Sequence, residues 1–476
     1  MVVSILTALF VAAETHDKIY GVSLGSWLVL ESWMLPAEWL AMGGQSCSVC
    51  SDCIATELQD FCAYPNTADQ AFAAHWSTWF TQDNVNELKA ASINTVRIPL
   101  GFWIVEGLVD RSAEFYPRGG IKFLARGLKW LHDAGIQVIL DHHALPGVAA
   151  VNQMFAGNCT TDPQFYTPHN YHRALIWTAV MASLTHLHPN FASVFAIEAV
   201  NEPISDAAMT PGFGDFQHNF VKTIRAVELI LGVPIANTQP VNLGPSNTSG
   251  MNVSTAIPLA AKYDTSGIFT PEIVSVLKDA VPMLLGIGNE LGMDADILVL
   301  GDCERFGGRW SAIVTTFMDV NWQTDNPPNP ADAAIGPQGY DNHLYYNYGG
   351  VADPNPDAYL TSICNLNRVQ ADAALGNSPL WFGEWAITTQ FDNATDEFLR
   401  MWADAQKLAY SKGAGWIFWN FKVEISELAG DLARQWSYLE GVKRGYFTKD
   451  PAQLHNPHVC DPYINSTSTN ATRRWL

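Results

Sequence analysis

Basic residues are scarce in this chain of 476 residues: 26 lysines and arginines stand against 47 aspartates and glutamates, for a formal net charge of −21. Binding to nucleic acid or to an anionic membrane surface depends on clustered lysine and arginine that neutralise phosphates. The sequence contains no basic patch of that kind. The scarcity of positive charge therefore argues against nucleic-acid and membrane-surface partners.

Long hydrophobic runs and metal-binding spacings are also lacking. Beyond the first residues, no segment stays apolar over the ~20 positions that a transmembrane helix needs. No repeat of 20–50 residues is evident. No His-x-x-x-His pair and no Cys/His set has the spacing of zinc ligands, so we expect no metal. The composition, 48% hydrophobic, can supply a large buried core.

The first residues indicate export. Val2–Ala13 is apolar, too short to span a bilayer and ends in small residues, which predicts a signal-peptide segment over residues 1–13. We expect one domain over residues 14–476, active as a monomer and secreted to the extracellular space or the cell wall. Six Asn-x-Ser/Thr sequons support this interpretation and are candidate N-glycan sites: Asn158, Asn247, Asn252, Asn393, Asn465 and Asn470.

Eight cysteines are present, and four of them, Cys47, Cys50, Cys53 and Cys62, lie within sixteen residues. Such a cluster could hold a metal or an iron–sulfur centre. The fragment lacks the proline and the second cysteine group of a ferredoxin, and a secreted chain favours disulfides. We therefore predict a disulfide-bearing loop over residues 27–67. Eight cysteines allow 105 pairings, and the sequence does not choose among them.

Short apolar runs alternate with longer amphipathic stretches along the chain. The predicted strands are Ile19–Leu24, Ile93–Pro99, Gln137–Asp141, Ser193–Val200, Ile297–Gly301, Gly339–Tyr345, Pro379–Gly383 and Ala414–Trp419. The predicted helices between them are Ala71–Ala91, Ile121–Ala134, Tyr171–Leu187, Gly214–Leu231, Tyr359–Ala374 and Thr395–Ser411. Eight strands with helical crossovers predict an α/β fold, a (β/α)8 TIM barrel.

Two insertions lengthen the predicted barrel, one after the first strand and one between the fourth and fifth strands. The second covers residues 233–296. Its first half, residues 233–258, has a loop-like composition, and Pro271–Leu285 has a helical pattern. Insertions of this length often shape a substrate cleft, although a plain surface excursion is nearly as common.

Two glutamates follow strand-like runs at the edge where a parallel barrel carries its chemistry. Glu202 lies in the triplet Asn201–Pro203, and Glu384 follows the run that begins at Pro379. Cleavage of a glycosidic bond needs two carboxyl groups, one to protonate the leaving oxygen and one to attack or to activate water. We predict that the fold brings these two glutamates together.

These segments and several others resemble glycoside hydrolase family 5, in particular its fungal exo-β-1,3-glucanases and β-1,6-glucanases. The resemblance spans nearly the whole predicted barrel and rests on Gly21–Trp27, Asn94–Pro99, Leu140–Gly147, Asn201–Pro203, Asp341–Tyr345, Gly383–Trp385 and Gly415–Trp419. Gly101–Val109 and Phe115–Gly120 look more like the β-1,6-glucanase branch.

The resemblance implies a retaining double displacement with Glu384 as the nucleophile and Glu202 as the general acid/base. It implies that Arg97 and Tyr345 flank Glu384, and that a nearby cation keeps this carboxylate ionised. The other substrate-binding residues that it implies are Asn201 at the sugar 2-hydroxyl, His143 and His343 at sugar hydroxyls or beside Glu202, and Trp419 under the first glucose. The reaction requires no cofactor.

Several of these residues have structural alternatives. Arg97 could instead form a buried ion pair with Glu198, and His142 rather than His143 could face the site. Trp416 and Trp419 could both be core residues. Further residues are weaker candidates: Trp103 and Trp385 for the cleft, and Asn289-Glu290 as a competing Asn-Glu pair.

The expected function is that of a secreted retaining β-glycosidase acting on β-1,3- or β-1,6-linked glucan. One alternative is a diglycosidase that releases rutinose from flavonoid glycosides. Another is an inactive wall protein that keeps the cleft for binding. The sequence leaves the linkage, and exo against endo action, open.

Overall fold

A computed structural model describes residues 18–44, 65–236, 238, 251–293 and 309–464. Several predictions fall outside these residues: the signal segment, the cluster from Cys47 to Cys62, the strand Ile297–Gly301, and the sequons at Asn247, Asn465 and Asn470.

Eight parallel strands close into a barrel in chain order, which confirms the predicted TIM-barrel fold. They are β1 Ile19–Ser23, β2 Thr95–Gly101, β3 Gln137–Ala144, β4 Val194–Glu198, β5 Val314–Met318, β6 Gln338–His343, β7 Leu380–Glu384 and β8 Gly415–Phe418. The barrel closes between β1 and β8, where Ile19 pairs with Gly415 and Val22 with Phe418. In such a barrel the carboxyl ends of all eight strands meet at one rim.

The fifth strand is the one strand that the sequence predicted in the wrong place. It lies at Val314–Met318, after the predicted Ile297–Gly301. Residues 297–301 form a more apolar run than β5, which contains Thr315 and Thr316, both fully buried. The apolar run at residues 297–301 therefore gave a stronger strand pattern than β5, whose two threonines are polar although they are buried. The connection from β4 to β5 is correspondingly longer than predicted.

The helices pack around the barrel. They are α1 Pro36–Ala41, α2 Pro65–Trp79, α3 Gln82–Ala90, α4 Gly120–Asp133, α5 Pro168–Leu187, α6 Phe213–Leu231, α7 Val253–Tyr263, α8 Pro271–Glu290, α9 Pro356–Cys364, α10 Arg368–Ala374, α11 Asp396–Tyr410, α12 Ala433–Trp436 and α13 Tyr438–Lys443. None of the helices in this part of the chain combines the length and the apolarity needed to cross a membrane.

Two predicted helices are each divided in two. The stretch Ala71–Ala91 breaks at Thr81, where the Asn84 side chain accepts a hydrogen bond from the Thr81 backbone N–H at 3.1 Å and a new helix begins. The stretch Tyr359–Ala374 breaks after Cys364. There the Asn365 side chain donates to two carbonyls, including that of Tyr463 at 2.8 Å. In both cases a side-chain contact with the backbone competes with helix continuation.

The second insertion is more helical than its composition indicated. The predicted loop-like half overlaps α7, which begins after Asn252. The Asn252 side chain caps this helix by accepting the Ser254 N–H at 2.8 Å. Pro258, the last residue of the predicted loop-like half, lies inside α7.

Cysteines outside the predicted cysteine loop also form disulfides. Cys364, the last residue of α9, is bonded to Cys460. Cys159 is disulfide-bonded as well.

Candidate active site

The eight residues predicted for the site gather at the carboxyl-end rim of the barrel. Arg97 lies on β2 and His143 on β3; Asn201 and Glu202 follow β4, and His343 ends β6. Tyr345 follows β6, Glu384 ends β7 and Trp419 follows β8. Seven of them line one cavity of about 530 Å³, and Arg97 is buried next to it. The other residues lining this cavity are Glu31, Trp33, Asn152, Gln153, Met154, Phe155, Trp322, Tyr348 and Trp436.

Both carboxylate oxygens of Glu384 accept hydrogen bonds. Arg97 donates through Nη1 to Oε1 at 2.8 Å, and the Tyr345 hydroxyl donates to Oε2 at 2.8 Å. Burial raises the pKa of Glu384, and the cations His343 and Arg97 only partly oppose this effect. The expected cation is therefore present, but burial outweighs it, and the pKa lies above its usual value.

Arg97 has both of the roles weighed from the sequence. Its Nε donates to Glu198 at 2.9 Å, and its Nη2 donates to the Asn201 side-chain oxygen at 2.7 Å. Burial lowers the pKa of Arg97, but the surrounding carboxylates, Asp141 first among them, raise it well above its usual value. One guanidinium therefore orients Glu384 and Asn201 while it neutralises an internal carboxylate.

Glu202 lies beside Glu384 and is held by His343. Its backbone has a positive φ of 40°, which is uncommon for a residue with a side chain. His343 Nδ1 lies 2.7 Å from Glu202 Oε1 and 3.6 Å from Glu384 Oε2. One oxygen of each carboxylate and a nitrogen of His343 lie within 4.8 Å of one another. Burial lowers the pKa of His343, but Glu384 and its other acidic neighbours raise it well above its usual value.

His143, rather than His142, faces the cavity, as the resemblance implied. Its Nδ1 lies 2.7 Å from Asp141 Oδ2, and its ring is nearly parallel to Trp419, with 5.7 Å between the centroids. Burial lowers the pKa of His143 to about 3, so the ring is neutral. His143 Nε2 and Asn201 Nδ2 have no hydrogen-bond partner among the described residues, which leaves both available to sugar hydroxyls.

The sequence missed a third carboxyl group in the cavity, that of Glu31. Trp33 Nε1 donates to Glu31 Oε2 at 2.8 Å, and burial raises the pKa of Glu31 to about 8. Glu31 lies after the end of β1. A carboxylate that follows a strand end is a candidate for the rim of the barrel. Glu31 lies eight residues past the end of β1, too far for the sequence alone to place it there.

Five aromatic residues of the cavity wall were missed as well: Trp33, Phe155, Trp322, Tyr348 and Trp436. Tyr348 is notable because it is 72% exposed although it is aromatic. A flat apolar face open to solvent is the type of surface on which a sugar ring stacks.

The weaker candidates lie elsewhere. Trp103 is buried and stacks on Tyr116 with 4.2 Å between the centroids. Trp385 is fully buried and packs edge-on against Trp416. The Asn289-Glu290 pair ends α8, where Glu290 pairs with Lys122 at 3.4 Å. None of these residues lines the cavity.

Comparison with known proteins assigns a family to this arrangement. A family model described as cellulase, glycosyl hydrolase family 5, matches residues 63–424. Glucan endo-1,6-beta-glucosidase B of Emericella nidulans is 27% identical over 455 residues, covering 93% of this chain and 88% of that protein. Probable glucan 1,3-beta-glucosidase A of Aspergillus fumigatus is 25% identical over 461 residues, covering 94% of this chain and 92% of the relative.

Among solved structures, rutinosidase from Aspergillus niger matches with a TM-score of 0.57 over 90% of this chain and 98% of its own. The sequence identity is 16%, so this likeness concerns the fold.

Proposed function

Because the chain belongs to glycosyl hydrolase family 5 and is a glycoside hydrolase, we propose that it hydrolyses β-glucan with retention, using Glu384 as the nucleophile and Glu202 as the general acid/base. The observation that carries the proposal is the proximity of the two carboxyl groups, with one oxygen of each within 4.8 Å. Retaining glycosidases hold their carboxyl groups ~5–5.5 Å apart, whereas inverting ones leave room for a water molecule between them.

The hydrogen bonds favour Glu384 as the nucleophile. Donors hold both of its oxygens, from Arg97 and from Tyr345, so the carboxylate is fixed in orientation. In the first step a Glu384 oxygen attacks the anomeric carbon, and the bond to the leaving oxygen breaks. The product of this step is a covalent glycosyl-enzyme, which water hydrolyses in the second step.

Glu202 is suited to proton transfer through its pairing with His343 at 2.7 Å. This pair holds the proton that Glu202 delivers to the leaving oxygen. In the second step Glu202 takes a proton from the water that opens the glycosyl-enzyme, which restores both carboxyl groups. The carboxylates of Glu202 and Glu384 and the His343 ring are close enough to surround a cation. We assign the cluster to acid–base chemistry, because the Glu384 oxygens already accept from Tyr345 and Arg97.

The rest of the cavity is suited to a glucose unit and its neighbour. His143 Nε2 and Asn201 Nδ2 are two buried polar atoms available to ring hydroxyls, and Trp419 supplies an apolar floor. Phe155 and Tyr348 add aromatic surface at the wall. We propose β-1,6-linked glucan as the first substrate to test, since the relative named glucan endo-1,6-beta-glucosidase B matches nearly the full chain.

We further propose that the enzyme is exported and acts as a monomeric catalytic domain. Its disulfides fit an oxidising compartment. The sequon at Asn393 is exposed, as an N-glycan site requires.

A product time course tests this function directly. The purified protein is incubated in parallel with pustulan (β-1,6), laminarin (β-1,3) and rutin, and the released sugars are separated by chromatography. We expect glucose or short oligomers from pustulan first. Rutinose from rutin with both glucans intact would contradict the proposal and favour the diglycosidase alternative.

Two variants test the roles of the glutamates, with a matched control. Glu384→Ala should lower kcat by about four orders of magnitude on every substrate. Glu202→Ala should lower kcat/KM by about 10²- to 10⁴-fold on glucan but much less on an aryl glucoside, whose leaving group needs little protonation. Glu290→Ala changes the Asn289-Glu290 pair, which lies outside the cavity lining, and should leave activity unchanged. Near-normal turnover by Glu384→Ala would refute the assignment.

A further inference from the structure

One wall of the cavity is formed by Trp322, in the short 3-10 turn Val320–Trp322 that follows β5. Its indole N–H donates to the Pro203 carbonyl at 2.7 Å. Its ring lies edge-on to His343, with 5.8 Å between the centroids. Trp322 therefore contacts the residue that follows Glu202 in the chain and the residue that hydrogen-bonds to the Glu202 carboxyl group.

The turn that carries Trp322 is anchored by buried polar side chains. Asp319 caps it by accepting the Asn321 N–H at 2.8 Å, and Asn377 accepts the Val320 N–H at 2.9 Å. The Asn321 side-chain amide donates to the carboxyl group of Asp372, on α10. A helix outside the barrel is thus tied to the cavity wall.

Asp372 is an unusual anchor because its side chain is fully buried. Its Oδ2 atom has no hydrogen-bond partner among the described residues. Burial first, and then the neighbouring carboxyl group of Asp319, raise the pKa of Asp372 to about 7. Arg368 is the cation facing this pair, 3.6 Å from Asp319 Oδ1. A buried, half-satisfied carboxyl group costs free energy, so packing does not account for its presence.

We propose that Asp372 is a positioning residue that acts through Asn321 to hold Trp322 against the leaving-group side of the active site. The proposal rests on the proposed function, in which Glu202 protonates the leaving oxygen. A residue that contacts Pro203 and His343 lies close to Glu202, and therefore on the leaving-group side of the glycosidic bond. If the turn were loosened, both Trp322 and the Glu202 carboxyl group would be displaced. Small misplacements of this kind reduce reaction rates strongly.

The test compares a β-1,6-linked gluco-oligosaccharide with 4-nitrophenyl β-glucoside, and measures kcat and KM for each variant. Asp372→Ala should lower kcat/KM about tenfold on the oligosaccharide and much less on the aryl substrate. Asp372→Asn should restore most of the loss, because its amide oxygen still accepts from Asn321. The double variant Asn321→Ala/Asp372→Ala should be no worse than Asp372→Ala alone, because both changes break one contact.

Asp404 provides the matched control. It is a buried aspartate on α11 that accepts the backbone N–H groups of His455 and Asn456, and it does not line the cavity. Asp404→Ala should lower the Tm and leave the ratio of kcat/KM on the oligosaccharide to kcat/KM on the aryl substrate unchanged. The positioning role is overturned if Asp372→Ala behaves like Asp404→Ala, or if the double variant loses clearly more activity on the oligosaccharide than Asp372→Ala alone. A wild-type protein that cleaves neither substrate would overturn the proposed function itself, and the positioning role with it.

Discussion

At the scale of single residues, four carboxyl groups surround the Arg97 guanidinium next to the cavity, those of Asp141, Glu198, Asp341 and Glu384. Burial raises the pKa of Asp141 to about 7, although Arg97 opposes this effect, and burial raises that of Glu31 to about 8. Both groups are therefore largely protonated in mild acid. The site then carries fewer negative charges than its count of carboxyl groups, which eases the approach of Glu202 and Glu384 to each other.

Glu31→Gln tests this protonation state. A carboxyl group whose pKa is higher in the folded protein than in the unfolded chain binds its proton more tightly in the folded protein. Its contribution to the free energy of unfolding is therefore largest at low pH and smallest when the group is ionised in both the folded and the unfolded state. Its contribution is fully present below the unfolded pKa of about 4.3. It is lost as the pH rises to about 8. Between pH 5 and 8 the wild-type Tm should therefore fall more than that of Glu31→Gln, by differential scanning calorimetry. Parallel curves would show that Glu31 is ionised throughout.

At the scale of elements, the second insertion is attached to the barrel by packing and by one ionic clamp. Helix α8 of the insertion packs along α5. On its surface, His172 of α5 lies 2.7 Å from a Glu272 oxygen and 3.0 Å from an Asp279 oxygen, both on α8. Each ring nitrogen thus faces a carboxylate, an arrangement that requires the imidazolium form. Burial lowers the pKa of His172, but the two carboxylates outweigh it, and the pKa is raised.

His172→Gln should reveal a pH-dependent contribution to stability. Because the folded pKa is raised, the stabilisation is fully present below the unfolded pKa of about 6.5, and it is lost as the pH rises through the folded pKa. The Tm difference between wild type and variant should be larger at pH 5 than at pH 9. His169→Gln, an exposed position on the same helix, should show no such trend. A difference that is constant with pH would contradict the clamp.

At the scale of the whole molecule, the C-terminal segment is fastened across the helices that follow β6 and β7. The Cys364–Cys460 disulfide closes a separation of 96 residues. Asp404 binds two backbone N–H groups of this segment, and Lys407 donates to the Gln453 carbonyl at 2.6 Å. These contacts lie away from the residues that line the cavity.

Replacing both Cys364 and Cys460 by alanine should lower the free energy of unfolding by roughly 2–4 kcal/mol, because a long loop is freed in the unfolded chain. Activity at 25 °C should be retained. The measurement is urea unfolding followed by circular dichroism, with kcat on pustulan determined in parallel. Loss of activity without loss of stability would show that this segment influences the cavity.

The sequence by itself determined the local steps: seven of the eight strands, the family, and the placement of Glu202 and Glu384 at strand ends. These follow from periodicity and short motifs, which depend on neighbours along the chain. Barrel closure decided the rest, because it sets neighbours across strands. It set the contacts of Arg97 with Glu384 and of His343 with Glu202, which the family resemblance had implied. It also buried Glu31 in the cavity and linked Asp372 to its wall. Burial then raised the pKa values of these carboxyl groups, an effect that exists only once the surrounding side chains exclude water.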